Sequence, residues 1–377
     1  MAAPAHLPDL PAPLVARCAA RAGVHPADTC AEVARWFAAD AACVAALLAA
    51  RWGADGALGR AVARGHTDAA RLLLDDHGAD ARAVQDGALR LAAQHGHADA
   101  ARLLLDRCAD AHAEKGGALQ LAAQFGHADV LRLLLDRGAD VHAGEDAALR
   151  CAAMRGHTDA ARLLLDRGAD VRAHRDSALW LAAHNGHADA ARLLLDRGAD
   201  VRAREGDALY QAAVYGRADV VRLLLDRGAD LHARQGRALC AAAQRGHADV
   251  VRLLLDGGAD VRAGGDCALR WAAQHGHADT VRLLLDRGAD VHAKGDGAMW
   301  AAAQYGHADV VRLLRDRGAD VRAGHAAAAR LLADAEAPPG ARARRGGPAL
   351  LSFAVRLAAR GAQVCLGAAA SALTLLA

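Results

Sequence analysis

Twenty histidines give this chain its widest chemical reach. His95 and His97 stand one residue apart, as do His275 and His277, and each pair could offer two imidazole nitrogens to a metal ion. One His of each pair, however, recurs along the chain as His97, His127, His157, His187, His247, His277 and His307. Successive copies stand about one packed layer apart, too far to share a tetrahedral ion with metal–nitrogen bonds of about 2 Å. These histidines are therefore expected to hydrogen-bond between layers, and no metal is expected. Nucleophiles are scarce, since Ser177, Ser352 and Ser371 are the only serines. Cys18, Cys30, Cys43, Cys108, Cys151, Cys240, Cys267 and Cys365 form no C-x2-C pair, and they read as reduced thiols of an intracellular protein. There is no P-loop, no G-x-G-x-x-G and no H-E-x-x-H. No catalytic constellation, no cofactor and no enzymatic activity is expected.

The remaining chemistry is recognition. The chain has five Trp, three Tyr and three Phe. Seven of these rings, Phe125, Trp180, Tyr210, Tyr215, Trp271, Trp300 and Tyr305, fall at corresponding places of a repeated pattern. Aromatic and Arg side chains at such places are the usual anchors of a protein interface.

The pattern is a 30-residue repeat. Residues 126–140 read GHADVLRLLLDRGAD, 156–170 read GHTDAARLLLDRGAD and 276–290 read GHADTVRLLLDRGAD. Self-similarity at a fixed period of this size indicates a repeat array, and here it outweighs the two or three domains that 377 residues would otherwise suggest. Within residues 146–170, Leu149, Ala152 and Ala153 share one stripe of a short helix. Asp146 is expected to cap its start, and Gly156 to end it in the left-handed conformation. A second helix carries Ala160, Leu163 and Leu164 on one face and ends at Gly168. Asp159, Arg162 and Asp166 predict a solvated ion-pair row along it. So small a helix pair cannot bury its leucines alone and must stack on neighbours.

Comparing the repeats with one another separates frame from variation. The second helix hardly changes. The first helix varies at its third, fourth, seventh and eighth places, and the turn between repeats varies with it.

The repeat, A-L-x-x-A-A-x-x-G-H-x-x-x-V-x-L-L-L-x-x-G-A-D-V-x-A, resembles the ankyrin repeat over residues 53–325. That resemblance implies an all-α solenoid of stacked helix-turn-helix units. The family's repeat has about 33 residues, and residues are missing between Ala143 and Ala148, where it forms a β-hairpin. The Thr-Pro-Leu-His opening is also absent, its places reading Ala147-Ala148-Leu149-Arg150. Short or degenerate hairpin loops are therefore expected. This shortened variety is similar to units in proteins of large DNA viruses, which points to a viral protein acting in a host cell as one origin.

The resemblance further implies that first helices and inter-repeat loops line a concave face where a protein partner binds. The candidate binding residues are then His95, Phe125, Arg155, Trp180, Asn185, Tyr210, Tyr215, Arg245, His275, Trp300 and Tyr305, with Arg175, Arg204, Glu205 and Lys294 from the loops. Some rings are also expected to fill gaps between first helices, Trp271 foremost.

Residues 1–55 read as an N-terminal helical cap, with an F-box-like segment as the alternative, on Leu10-Pro11, Leu14, Arg35-Trp36 and Asp40. On that alternative the protein is a substrate-recruiting adaptor of a ubiquitin ligase. Residues 56–334 hold nine helix pairs and a truncated tenth, and Arg315 replaces the third leucine of the last second helix. Residues 335–349 read as a linker and 350–377 as an apolar C-terminal segment. The uncharged stretch 361–377 is at the short edge of a membrane span, so a packed or unstructured tail is expected rather than an anchor. Net charge is +2, with 46 basic and 44 acidic residues interleaved. Neither nucleic acid nor a membrane is an expected partner. A monomer in the cytoplasm is expected, with the nucleus as the alternative.

Overall fold

A computed structural model describes residues 41–320 with the exception of Cys108. The F-box-like signature, the linker, the C-terminal segment and most of the truncated tenth repeat lie outside the described residues. The chain divides into two compact units, Met1–Gly264 and Gly265–Ala377.

Every element among the described residues is a helix. In the N-terminal unit these are α1 (Ala41–Ala63), α2 (Thr67–Asp75), α3 (Ala83–His95), α4 (Ala98–Asp106), α5 (Ala113–Phe125), α6 (Ala128–Asp136), α7 (Ala143–Arg155), α8 (Thr158–Asp166), α9 (Ala173–Asn185), α10 (Ala188–Asp196), α11 (Ala203–Val214), α12 (Ala218–Asp226), α13 (Ala233–Arg245) and α14 (Ala248–Asp256). The C-terminal unit contains α15 (Ala263–Gln274) from its third residue on, α16 (Ala278–Asp286), α17 (Ala293–Tyr305) and α18 (Ala308–Asp316). α1 is broken at Gly53, whose backbone leaves the helical region at φ 75°, ψ 168°.

Within the N-terminal unit each first helix packs on the next, as α5 on α7 and α7 on α9, and second helices follow suit, as α8 on α10. The second helices TDAARLLLD and ADVVRLLLD have one strongly apolar face. Their central leucines, Leu134, Leu164, Leu194 and Leu224, have no exposed surface. Each such burial contributes about 1.5–3 kcal/mol. Alanines fill the remaining core, for example Ala152, Ala153, Ala182 and Ala183, because closely packed thin layers leave no room for longer side chains.

Gly156 takes the expected left-handed conformation, φ 76°, and His157 N–H closes the helix end on Ala152 O at 3.0 Å. Among the described residues the hairpin of the longer repeat has no counterpart. A left-handed turn stands in its place, Gly144-Glu145-Asp146 at φ 63°, 57° and 57° and His174-Arg175-Asp176 at φ 51°, 58° and 56°. A non-glycine residue in this region costs roughly 1–2 kcal/mol, which neighbouring contacts must offset.

Asp146 supplies one such contact, and its role differs from the expected cap. Buried to 4% exposure, its Oδ1 accepts the backbone N–H of Asp170, one repeat further on, at 2.9 Å. Asp176 does the same for Asp200 at 2.9 Å, and Asp296 for Asp320 at 3.3 Å in the C-terminal unit. The ion pairs also run between repeats more than along a helix. Asp166 meets Arg197 Nη1 at 2.9 Å, and Asp136 meets Arg167 at the same distance. Pairs along a helix, such as Arg192 with Asp189 at 3.1 Å, accompany that ladder. Gly257 stands where the repeats on either side carry the ladder's Arg, Arg227 and Arg287.

Candidate functional site

The Gly-His turn shows how the frame holds the variable residues. His127 Nε2 lies 3.1 Å from Gln94 O, His187 Nε2 3.1 Å from Met154 O, and His307 Nε2 3.0 Å from Gln274 O. A carbonyl oxygen only accepts, so Nε2 carries the proton in each case. Arg217, the one departure from His, keeps the tie through Nε to His184 O at 3.3 Å. The turn histidines therefore hydrogen-bond between layers, as their spacing predicts. They also explain the glycine before them. A Cβ on Gly126 would lie 2.6 Å from Nδ1 of His157, so the site is closed to a side chain as well as left-handed.

This tie fixes the end of each first helix, where the eighth variable place sits. From α3 to α13 in the N-terminal unit that place holds His95, Phe125, Arg155, Asn185, Tyr215 and Arg245. All are exposed except the half-buried Asn185, whose Nδ2 donates to Leu181 O at 2.8 Å. Phe125 and Tyr215 are 42% and 44% exposed.

The third place is different. Trp180 and Tyr210 are half-buried. Trp180 stacks on His184 with ring centroids 5.2 Å apart, and His184 meets Tyr215 of the next repeat at 4.1 Å. Three rings from two repeats thus form one row. Tyr210 lies under the Arg234 guanidinium, 5.4 Å from its ring centre, and Arg234 pairs with Asp207 at 3.1 Å. His184 and Arg234 were not among the expected site residues. The spacing of four between Trp180 and His184 on one helix was the available signal for the first.

Among the loop residues, Arg175 is exposed. Arg204 is engaged within the fold, donating to His174 O at 2.8 Å, Ser177 Oγ at 2.6 Å and Arg175 O at 3.1 Å. Glu205 belongs to α11 by its backbone.

The C-terminal unit repeats the arrangement on its own scale. His275 is exposed and its Nδ1 lies 2.9 Å from Trp271 O. Trp271 is half-buried, and Arg270 lies 5.8 Å from its ring centre. Trp300 and Tyr305 on α17 are 51% and 36% exposed, and Lys294 is exposed.

Among the described residues two titratable groups, Cys151 and Asp176, are shifted from their ordinary values. Burial pushes the Cys151 thiol up, against the lowering effect of Arg150 and Arg155, which disfavours the nucleophilic thiolate. Burial likewise raises the Asp176 carboxyl, opposed by the Asp200 N–H bond. Cys240 and Cys267 are disulfide-bonded, which corrects the reading of all eight cysteines as reduced thiols. Among the described residues no group of three or more His, Cys, Asp and Glu has the arrangement of a metal site. His95 and His97 stack at 6.1 Å, and Nε2 of His97 is engaged with Ala63 O at 3.3 Å. No helix among the described residues is long and apolar enough to cross a membrane. An open groove of about 600 Å³ lies where Gly59 and Ala63 of α1 face Leu91 and Gln94 of α3, in earlier repeats than the ring row.

Comparison with known proteins agrees with this architecture. The family described as ankyrin repeats (3 copies) matches residues 32–115, 58–145, 107–175, 152–235, 209–295 and 239–325, well over half of the chain. Curated protein sequences gave no match. Among solved structures, the crystal structure of the human ASB11 ankyrin repeat domain is similar at 27% identity and a TM-score of 0.50, covering 54% of this chain and 98% of that one. Ankyrin repeats generally serve as protein–protein interaction modules, and no catalytic domain is indicated. With frame, turn and stacking all in agreement, the chain belongs to the ankyrin-repeat family.

Proposed function

We propose that this protein is a non-enzymatic scaffold that binds a protein partner through its first helices and inter-repeat loops. One observation carries the reading. The variable side chains left in water, including Phe125, Tyr215, Trp300 and Tyr305, all stand on first helices or beside their ends, whereas the second helices carry no ring. Exposed rings at ordered positions are the usual anchors of an interface. The binding residues of the N-terminal unit are His95, Phe125, Arg155, Trp180, Asn185, Tyr210, Tyr215 and Arg245, flanked by Arg175. His275, Trp300, Tyr305 and Lys294 serve the C-terminal unit. The ubiquitin-ligase adaptor alternative depends on residues 10–40, outside the described residues.

Affinity capture with mass spectrometry, run in parallel on the wild type and on Trp180→Ala/Tyr215→Ala, tests the proposal. The double variant is expected to keep its helical circular dichroism and lose the proteins that the wild type retains. An unchanged set of captured proteins would overturn it.

A further inference from the structure

We propose that the eighth-place row of the N-terminal unit receives an extended, acidic segment of a protein partner. The proposal rests on the scaffold reading above and names the chemistry of the ligand. From α7 to α13 the row reads Arg155, Asn185, Tyr215, Arg245. A cation stands at each end, with an amide and a ring between. Neither Arg155 nor Arg245 forms an ion pair among the described residues, and both side chains are exposed. The adjoining seventh places, Met154, His184, Val214 and Gln244, carry no carboxylate. The nearest carboxylates along the chain stand past the Gly-His turn, at Asp159, Asp189 and Asp219, where Asp189 faces Arg192 of its own helix, and at the far starts of the first helices, at Asp146, Asp176 and Asp207, eight or nine residues before the eighth place. The row thus offers two guanidinium groups to a guest and no matching anion.

The spacing selects the form of that guest. Packed helices lie about 8–10 Å apart, so three steps from α7 to α13 span roughly 24–30 Å. An extended chain advances about 3.3 Å per residue, so carboxylates about eight residues apart reach both arginines. Between them the Trp180–His184–Tyr215 rings form a platform for an apolar side chain. Two cations so far apart suit two separated carboxylates better than the closely and evenly spaced charges of a nucleic acid.

The test uses the full chain and a fluorescein-labelled peptide, Glu-Glu-Ser-Gly-Ser-Leu-Ser-Gly-Ser-Glu-Glu, by fluorescence anisotropy at low ionic strength. Binding is expected, and Arg155→Glu/Arg245→Glu should weaken it at least tenfold. Arg162→Glu/Arg252→Glu, the same charge change on exposed sites of second helices, should leave it within twofold. The proposal is overturned if no binding is seen, if both double variants bind alike, or if a peptide with Lys for Glu or an oligothymidylate of the same length binds as tightly. Loss of captured proteins in Trp180→Ala/Tyr215→Ala alongside any of those outcomes would retain the scaffold and remove only the acidic ligand.

Discussion

First and second helices meet their neighbours in different ways. The second helices of successive repeats are near copies, TDAARLLLD at α8 and ADAARLLLD at α10, and each presents its buried leucines to an equivalent helix. Their charges join repeats as well, through Asp166 to Arg197 and Asp196 to Arg227, both at 2.9 Å. First helices share little beyond their alanines and one leucine, which is Met299 in α17, while Trp180, Tyr210 and Cys240 replace one another at a single place. Apart from the ring row, the Arg204 and Arg234 contacts and the turn aspartates Asp146, Asp176 and Asp296, the ties between repeats described above use frame residues. Those frame contacts do not depend on the variable side chains, so the variable places are at liberty to change.

Substituting one residue on each side of this divide gives the largest effect. Leu164→Ala, in a second helix at zero exposure, is expected to cost about 2–5 kcal/mol in urea unfolding. Tyr215→Ala, on the exposed side, should change stability by less than about 1 kcal/mol. Equal losses would break the division. The turn offers a sharper contrast of intermediate size. Gly126→Ala meets both a left-handed backbone, about 1–2 kcal/mol, and the His157 ring, whereas Gly138→Ala, at φ 87° with nothing within 4 Å, meets the backbone alone. The difference between their unfolding free energies measures how tightly the histidine seats.

The smallest effect concerns Asp176. Burial raises its carboxyl above the ordinary value of 3.8, so the fold favours the protonated form. The stability this gives is fully present below the ordinary value and is lost as pH rises through the raised one. Asp176→Asn keeps an acceptor for Asp200 N–H and tolerates the left-handed backbone. Relative to this variant, the wild type should lose stability as pH rises across that window, and a pH-independent difference between their urea midpoints would contradict the assignment.

The sequence announced what depends on one repeat and its copies. The helix pair, the glycine stops, the interlayer histidines and the absence of a full hairpin all follow from period and residue type. It was less informative where a side chain answers to the backbone of the next repeat. Asp146 looks like a cap, but the N–H it binds belongs to Asp170, 24 residues away. Asp166 sits four residues from Arg162 yet pairs with Arg197, since the neighbouring arginine lies alongside. Of the candidate site, the exposure of the eighth-place residues other than Asn185 was legible, because nothing in the frame covers them. Arg204 looked available for the same reason, but its guanidinium is held by His174 and Ser177. Propensity also gives no warning of a left-handed turn through His174 and Arg175, which only the surrounding layers can impose.

The histidine of each turn reaches back no further than the repeat before it, as His127 does to Gln94 and His187 to Met154. An in-frame duplication of thirty codons inside the N-terminal unit would therefore deliver a newcomer already fitted for both of its neighbours. Such a gene can lengthen or shorten by recombination without a new fold, and each added copy brings one more eighth-place position open to selection.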